Sequence, residues 1–324
     1  MIANRTVVTL LMTLRTGPTA TLDPKPLDVT EWNTLARWLA QLDLAPEDLA
    51  TVDGDRILDD WPDGRIDAKR LHTLLGRYDE LQPLLDRWRS LGIWIIGRSD
   101  ESYPQRIRQR LGDSAPTILF GLGEPRLLAN PGLALVGSRN ASTEENLRAF
   151  GYGQQAAESG YTVVSGGARG IDTHSEQGAF DAGGTVVSIL GDSLVLASRK
   201  STLRDHLEVG DLALITPYSP DAGFSSGNAM GRNRLIYCLA EAAIAVCSTL
   251  GRGGTFAGAS EAIRRGWVPV WAPRSANPES GNDVLIDLGA HELPSDRAFT
   301  IATLAEAPVS NQKPAPGQTS LFGS

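Results

Sequence analysis

From Ile93 onward, short β-rich runs alternate with helical stretches, and this alternation restricts the fold more than any other feature. The runs fall at 93–96, 117–120, 133–136, 161–164, 185–190, 212–215, 243–247 and 267–271. Strands that alternate with helices are joined by right-handed crossovers. The pattern therefore predicts an α/β fold, with a mostly parallel sheet covered by helices on both faces. Ligands of such sheets bind beyond the carboxyl ends of the strands, where the strand order reverses. The chain's glycine-rich turns fall at those ends.

Two turns stand out. One apolar run ends in Gly137-Ser138-Arg139, ahead of a helix that Ser142 and Glu145 could open as a capping box. Another ends in Ser165-Gly166-Gly167-Ala168-Arg169-Gly170. Small residues there let backbone N–H groups approach a phosphate, and the positive end of the following helix adds to the attraction. Asp172 is placed to cap the second helix, and His174 is expected to be solvated. A third element carries Arg232, Asn233 and Arg234 at the expected start of an apolar helix. There their charge opposes the helix dipole unless an anion lies between them. The fourth is Arg252-Gly253-Gly254-Thr255, after the run that ends at Cys247. Each motif is short, and capping or salt bridging accounts for part of each. Together they predict a groove for a phosphorylated ligand, either nucleotide or polynucleotide.

Composition narrows the classes. The net charge is −8, so any nucleic-acid binding must come from a local cluster. Lysine occurs at four positions, so most cationic side chains are arginines, whose planar fork suits phosphate oxygens. No run is long enough to span a membrane, and residues 7–14 read as a first helix rather than a signal peptide. Cys238 and Cys247 lie in apolar surroundings without metal-ligand spacing, which predicts buried thiols and a cytoplasmic protein. The histidines and cysteines suggest no zinc site, and no nucleophile–base–orienter set appears. Neither a cofactor nor a metal is expected.

Residues 1–92 read as a small helical accessory domain. Trp32, Leu35 and Leu39 mark one helix; Leu71, Leu74, Leu75 and Tyr78, then Leu81, Leu84, Leu85 and Trp88, keep to one helical face. Residues 93–305 form the strand–helix domain, and 306–324 a flexible tail rich in proline, glycine and serine.

The series ALVGSRNAS, VVSGGARGID, GGTVVSILG, the block from GRNRLIYCLAEAAIAVCSTLGRGGTFAGASEAIRRG to VPVWAP, and GNDVLIDLGA resembles the DNA-processing protein A (DprA, or Smf) family over roughly residues 91–291. The resemblance implies an extended Rossmann-like fold and a non-enzymatic, single-stranded-DNA-binding recombination mediator. Such a protein dimerises and helps load a RecA-type recombinase, in DNA uptake or repair. It would place Ser138, Arg139, Ser165, Gly166, Arg169, Arg232, Asn233, Arg234, Arg252, Gly253 and Thr255 along the DNA groove. Aromatic platforms for bases are sparse, with Phe224 and Phe256 the nearest candidates.

Three departures from the family pattern stand out. Glu176 occupies a position usually held by histidine, where it is expected to repel phosphate or engage an arginine. The 192–220 segment lacks the usual tyrosine–proline connection, and no winged-helix pattern follows Ala305. The tail residues Gln318, Ser320, Leu321 and Phe322 resemble the peptide by which replication proteins dock on the sliding clamp. An enzyme reading stays open, since the related phosphoribohydrolases that cleave nucleoside monophosphates share a Gly-Gly-Thr loop. Here the next acid, Glu261, is almost two helical turns away. A nucleotide-sensing module is the third reading.

Overall fold

The structure, a computed structural model, describes residues 2–15, 24–51, 53–62, 64–275, 277–294 and 300–309. By contact the chain divides into two compact units. The first comprises residues 1–123, 192–208 and 215–223; the second comprises 124–191, 209–214 and 224–324.

The first unit opens with five helices: α1 (Asn4–Thr13), α2 (Val29–Gln41), α3 (Gly54–Asp59), α4 (Ala68–Leu75) and α5 (Tyr78–Ser90). Helix α2 starts at Asp28, whose side chain accepts from the Glu31 amide while Glu31 accepts from the Asp28 amide. The 3.6-residue period then buries Trp32, Leu35 and Leu39 against Val8, Met12, Leu71 and Leu74. Between α4 and α5 the buried Arg77 donates to the Leu14 carbonyl at 3.1 Å, satisfying an acceptor at the end of α1. Strands β1 (Trp94–Gly97) and β2 (Ile118–Gly123) flank α6 (Gln105–Leu111) and pair antiparallel. Trp88 of α5 meets Phe120 of β2 edge to face at 5.4 Å.

The chain continues through β3 (Gly132–Gly137), α7 (Thr143–Glu158), β4 (Thr162–Ser165), α8 (Ile171–Asp181) and β5 (Val186–Ile189). There follow α9 (Leu194–Ala197), α10 (Ser201–Val209), β6 (Leu212–Thr216), α11 (Ser226–Leu239), β7 (Ala242–Cys247) and α12 (Gly253–Arg265). Last come β8 (Val270–Ala272), α13 (Asn282–Asp287), β9 (His291–Glu292) and α14 (Ile301–Glu306). In the second unit the strand order is β6-β5-β4-β3-β7-β8-β9. Strand β3 pairs in parallel with β4 and β7, β4 with β5, β7 with β8, and β8 with β9. This is the mostly parallel, helix-flanked sheet that the alternation predicts, and it is Rossmann-like as the family resemblance implies. Strands β4 to β7 are buried throughout, as strands covered on both faces must be. The order reverses between β3 and β7.

Helices α7 and α8 pack at backbone contact. A side-chain carbon on Gly153 would fall 2.0 Å from the Ser175 carbonyl oxygen, and one on Gly178 2.0 Å from that of Phe150. Ala149 and Ala156 of α7 and Ala179 of α8 are also buried. Cys238 and Cys247 are buried free thiols. Among the described residues no helix is long and apolar enough to cross a membrane. The short strand β9 carries no run that the sequence pattern marks.

Candidate nucleic-acid interface

Strand β3 ends in an irregularity at Gly137, where the pairing with β7 slips between Val136 and Gly137. A side-chain carbon on Gly137 would lie 2.3 Å from Ile171, so its small size serves the close seating of α8 on the strand end. Ser138 accepts from the Asn140 amide at 3.1 Å, and Ser142 and Glu145 form the predicted capping box. Arg139 is exposed, with its guanidinium 5.5 Å from the centre of the Phe224 ring, within cation–π reach.

The loop after β4 is held from within. The Asp172 carboxylate accepts from the Gly166 amide at 3.1 Å and the Ala168 amide at 3.3 Å. Asp172 is thus an anchor for the loop and does not cap α8, whose N-cap Gly170 has φ +85° and no side-chain cap bond. A carbon on Gly170 would meet the Ser138 carbonyl at 2.5 Å, so both the dihedral and the space there require glycine. His174 is half-buried rather than solvated, its Nδ1 at 2.8 Å from the Gly170 carbonyl. Ser165 is fully buried, and its hydroxyl donates to Glu176. Glu176 also accepts from Ser188 at 2.7 Å. It therefore stands beneath the loop among hydroxyls rather than in the open against phosphate. Arg169 is exposed and reaches Asn140 at 3.5 Å.

Helix α11 begins at Ser226, capped by Ser225 through the Asn228 amide. Arg232, Asn233 and Arg234 accordingly sit turns inside the helix and not at its start, which corrects the expected boundary. The glycines and small polar residues of 225–231 hide the helical period there. Arg232 is buried and donates to the Gly166 carbonyl at 2.9 Å; a carbon on Gly166 would strike its guanidinium. Asn233 donates to the Gly254 carbonyl at 3.1 Å. Thr255 donates to the Gly137 carbonyl at 2.9 Å, so it ties two loops together. Helix α12 begins at Gly253, at φ +80°, and its N-cap Arg252 makes no side-chain cap bond.

These elements enclose a cleft of about 370 Å³ at the reversal of the strand order. Nine of the predicted residues line it: Gly137, Ser138, Arg139, Arg232, Asn233, Arg252, Gly253, Gly254 and Thr255. Ser165, Gly166, Gly167, Arg169, Gly170 and Arg234 are not in its lining. Arg234 is two residues beyond Arg232 and so projects from another helix face. Phe224 lines the cleft and is 61% exposed, which makes it available to a base. Phe256 lies outside the lining, close to Gly281. Sequence reasoning missed Met230, Tyr237, Ser248 and Thr249 as lining residues. The last two directly follow Cys247, which was a usable signal.

Asp172 is the one carboxylate in the lining, against three guanidinium groups. Burial pushes its carboxyl up to about 6, partly opposed by Arg232 and by the two loop amides. Among the described residues neither Arg139 nor Arg252 has an ion-pair partner, and no group of side chains could hold a metal ion.

A parallel, doubly wound sheet with a cleft lined by three arginines at its reversal point defines a Rossmann-like protein. Residues 94–303 match the family model of DNA recombination-mediator protein A, and the chain belongs to that family. A putative DNA processing protein DprA of Mycobacterium tuberculosis is 30% identical over 227 residues, 65% of this chain and 57% of that protein. DprA of Streptococcus pneumoniae is 29% identical over 168 residues, 52% of this chain and 58% of the relative. The chain thus spans a little over half the length of these relatives. The X-ray structure of Streptococcus pneumoniae DprA superposes with a TM-score of 0.68 at 23% identity, covering 90% of this chain and 95% of that one. A Helicobacter pylori DprA, described for its single-stranded DNA binding mode, gives 0.50 at 21% identity and covers 62% and 89%.

Proposed function

We propose that the chain binds single-stranded DNA through the cleft and acts, as a homodimer in the cytoplasm, as a recombination mediator that helps load a RecA-type recombinase. One observation carries the reading: in a chain of net charge −8, three arginines from three separate segments line one cleft. Arginine and backbone contacts to phosphates give affinity without sequence preference. Phe224 supplies an exposed face on which a base can stack. Family membership and the binding described for the Helicobacter pylori relative support this choice of ligand. Arg169, exposed and within reach of Asn140, extends the proposed track beyond the cleft.

The test is a titration of labelled oligo-dT of increasing length over a salt series, with AMP in parallel. Affinity that grows with length and falls steeply with salt supports the proposal. Tight AMP binding with release of free base would instead identify a phosphoribohydrolase-like enzyme, and tight binding without release a nucleotide sensor. Recombinase loading is read separately, as filament formation on DNA coated with single-strand-binding protein. The clamp-docking residues Gln318, Ser320, Leu321 and Phe322 lie outside the described residues. Deleting 318–322 and following clamp co-purification tests that partner.

A further inference from the structure

Asp172 and Glu176 lie four residues apart, on one face of α8, beneath the loop that closes one side of the cleft. Asp172 is 7% exposed and holds the loop amides; Glu176 takes hydroxyl donors from Ser165 at the end of β4 and Ser188 of β5. The charged and titratable groups facing the pair are Arg232 and Tyr237 from α11 and Arg139 from the loop after β3. Helix α7 presents Phe150 and Gly153 to α8, neither of them charged. One buried and one half-buried carboxyl thus share the field of one buried guanidinium, which itself lines the cleft.

Burial, with Asp172 close by, pushes the Glu176 carboxyl up to about 7, although its two serine donors oppose the rise. A phosphate seated beside Arg232 adds a further negative charge to this set. An added anion raises the proton affinity of carboxyls nearby. By linkage, a bound proton must then strengthen anion binding to the same degree.

We propose that the Asp172–Glu176 pair takes up a proton from solvent when phosphate enters the cleft, so that the grip on the DNA backbone strengthens as the medium turns acidic. The inference rests on the reading that the cleft holds a phosphate backbone. The proton goes to a carboxylate oxygen, and nothing else is made or broken. The third titratable side chain on this stretch, His174, bonds the Gly170 carbonyl and is tested separately.

The experiment is calorimetric titration of the full chain with single-stranded oligo-dT near pH 7, in two buffers of different ionisation enthalpy, together with affinities from pH 6 to 8. Wild type is expected to take up a fraction of a proton per site and to bind on the order of tenfold more weakly at the alkaline end. Glu176→Gln is expected to bind with little uptake and a flat profile, and His174→Gln to keep the wild-type uptake. Ser188→Ala, which removes one donor to the carboxylate, should move the profile toward higher pH and serves if Glu176→Gln does not fold. Unchanged uptake in Glu176→Gln, or an unmoved profile in Ser188→Ala, overturns the inference while DNA binding stands. No oligo-dT binding by wild type at any pH overturns the functional reading beneath it.

Discussion

At the level of single residues, the cleft separates side chains that build the site from those that can meet a ligand. Thr255, Asn233 and Asp172 spend their polar groups on the Gly137 carbonyl, the Gly254 carbonyl and the loop amides. Arg139 and Arg252 carry exposed guanidinium groups with no ion-pair partner among the described residues. Replacing either by alanine should weaken DNA binding alike for every base sequence and lower the slope of log affinity against log salt by about one. Fluorescence anisotropy over several sequences and salt concentrations measures both. Phe224→Ala should remove about 1–3 kcal/mol of binding, the worth of one stacked base. It should leave the salt slope unchanged, because no phosphate contact is lost. A changed slope would place Phe224 outside the base-stacking role.

Among the elements, the pair α7–α8 sets the position of the second loop, since α8 begins where that loop ends. The two helices touch backbone to backbone at Gly153 and Gly178. Gly153→Leu must push them apart and should destabilise the protein by about 3 kcal/mol. Urea unfolding would read the loss. Strands β3 to β8 were legible in the sequence because β-rich, largely apolar runs that alternate with helices have few alternatives to buried parallel strands; β1 and β2 showed the same β-rich character, but their antiparallel pairing was not legible. The two-residue β9 was not, since so short a run has no period to detect. The start of α11 was obscured by residues 225–231, which apart from Met230 are small or polar and carry no helical period. The capping box at Ser142 was legible because it is local. The anchoring role of Asp172 was not, because its partners at Gly166 and Ala168 are fixed by how the loop turns back. The same limit applied to Glu176, whose partner Ser188 lies on another strand.

For the molecule as a whole, the compact units follow contacts rather than the change of sequence period near residue 93. Strands β1 and β2 pair with each other, and Phe120 packs on Trp88 of the preceding helix. The carboxyls of α8 give the fold a pH dependence of definite sign. The Glu176 carboxyl is harder to ionise folded than unfolded, so its contribution is fully present in acid and is lost as the pH rises through about 7. Glu176→Gln should therefore gain stability over wild type between about pH 5 and 8, by on the order of 2 kcal/mol. Denaturant midpoints across that range check it; a constant difference would mean that Glu176 does not titrate there. The carboxylate that Asp172 inserts into its own loop has a further effect. With those amides already satisfied from inside, the loop has its working shape before any strand arrives, and capture should require little ordering there. Hydrogen exchange at Gly166 and Ala168 should then be slow in the free protein and almost unaltered when DNA is added.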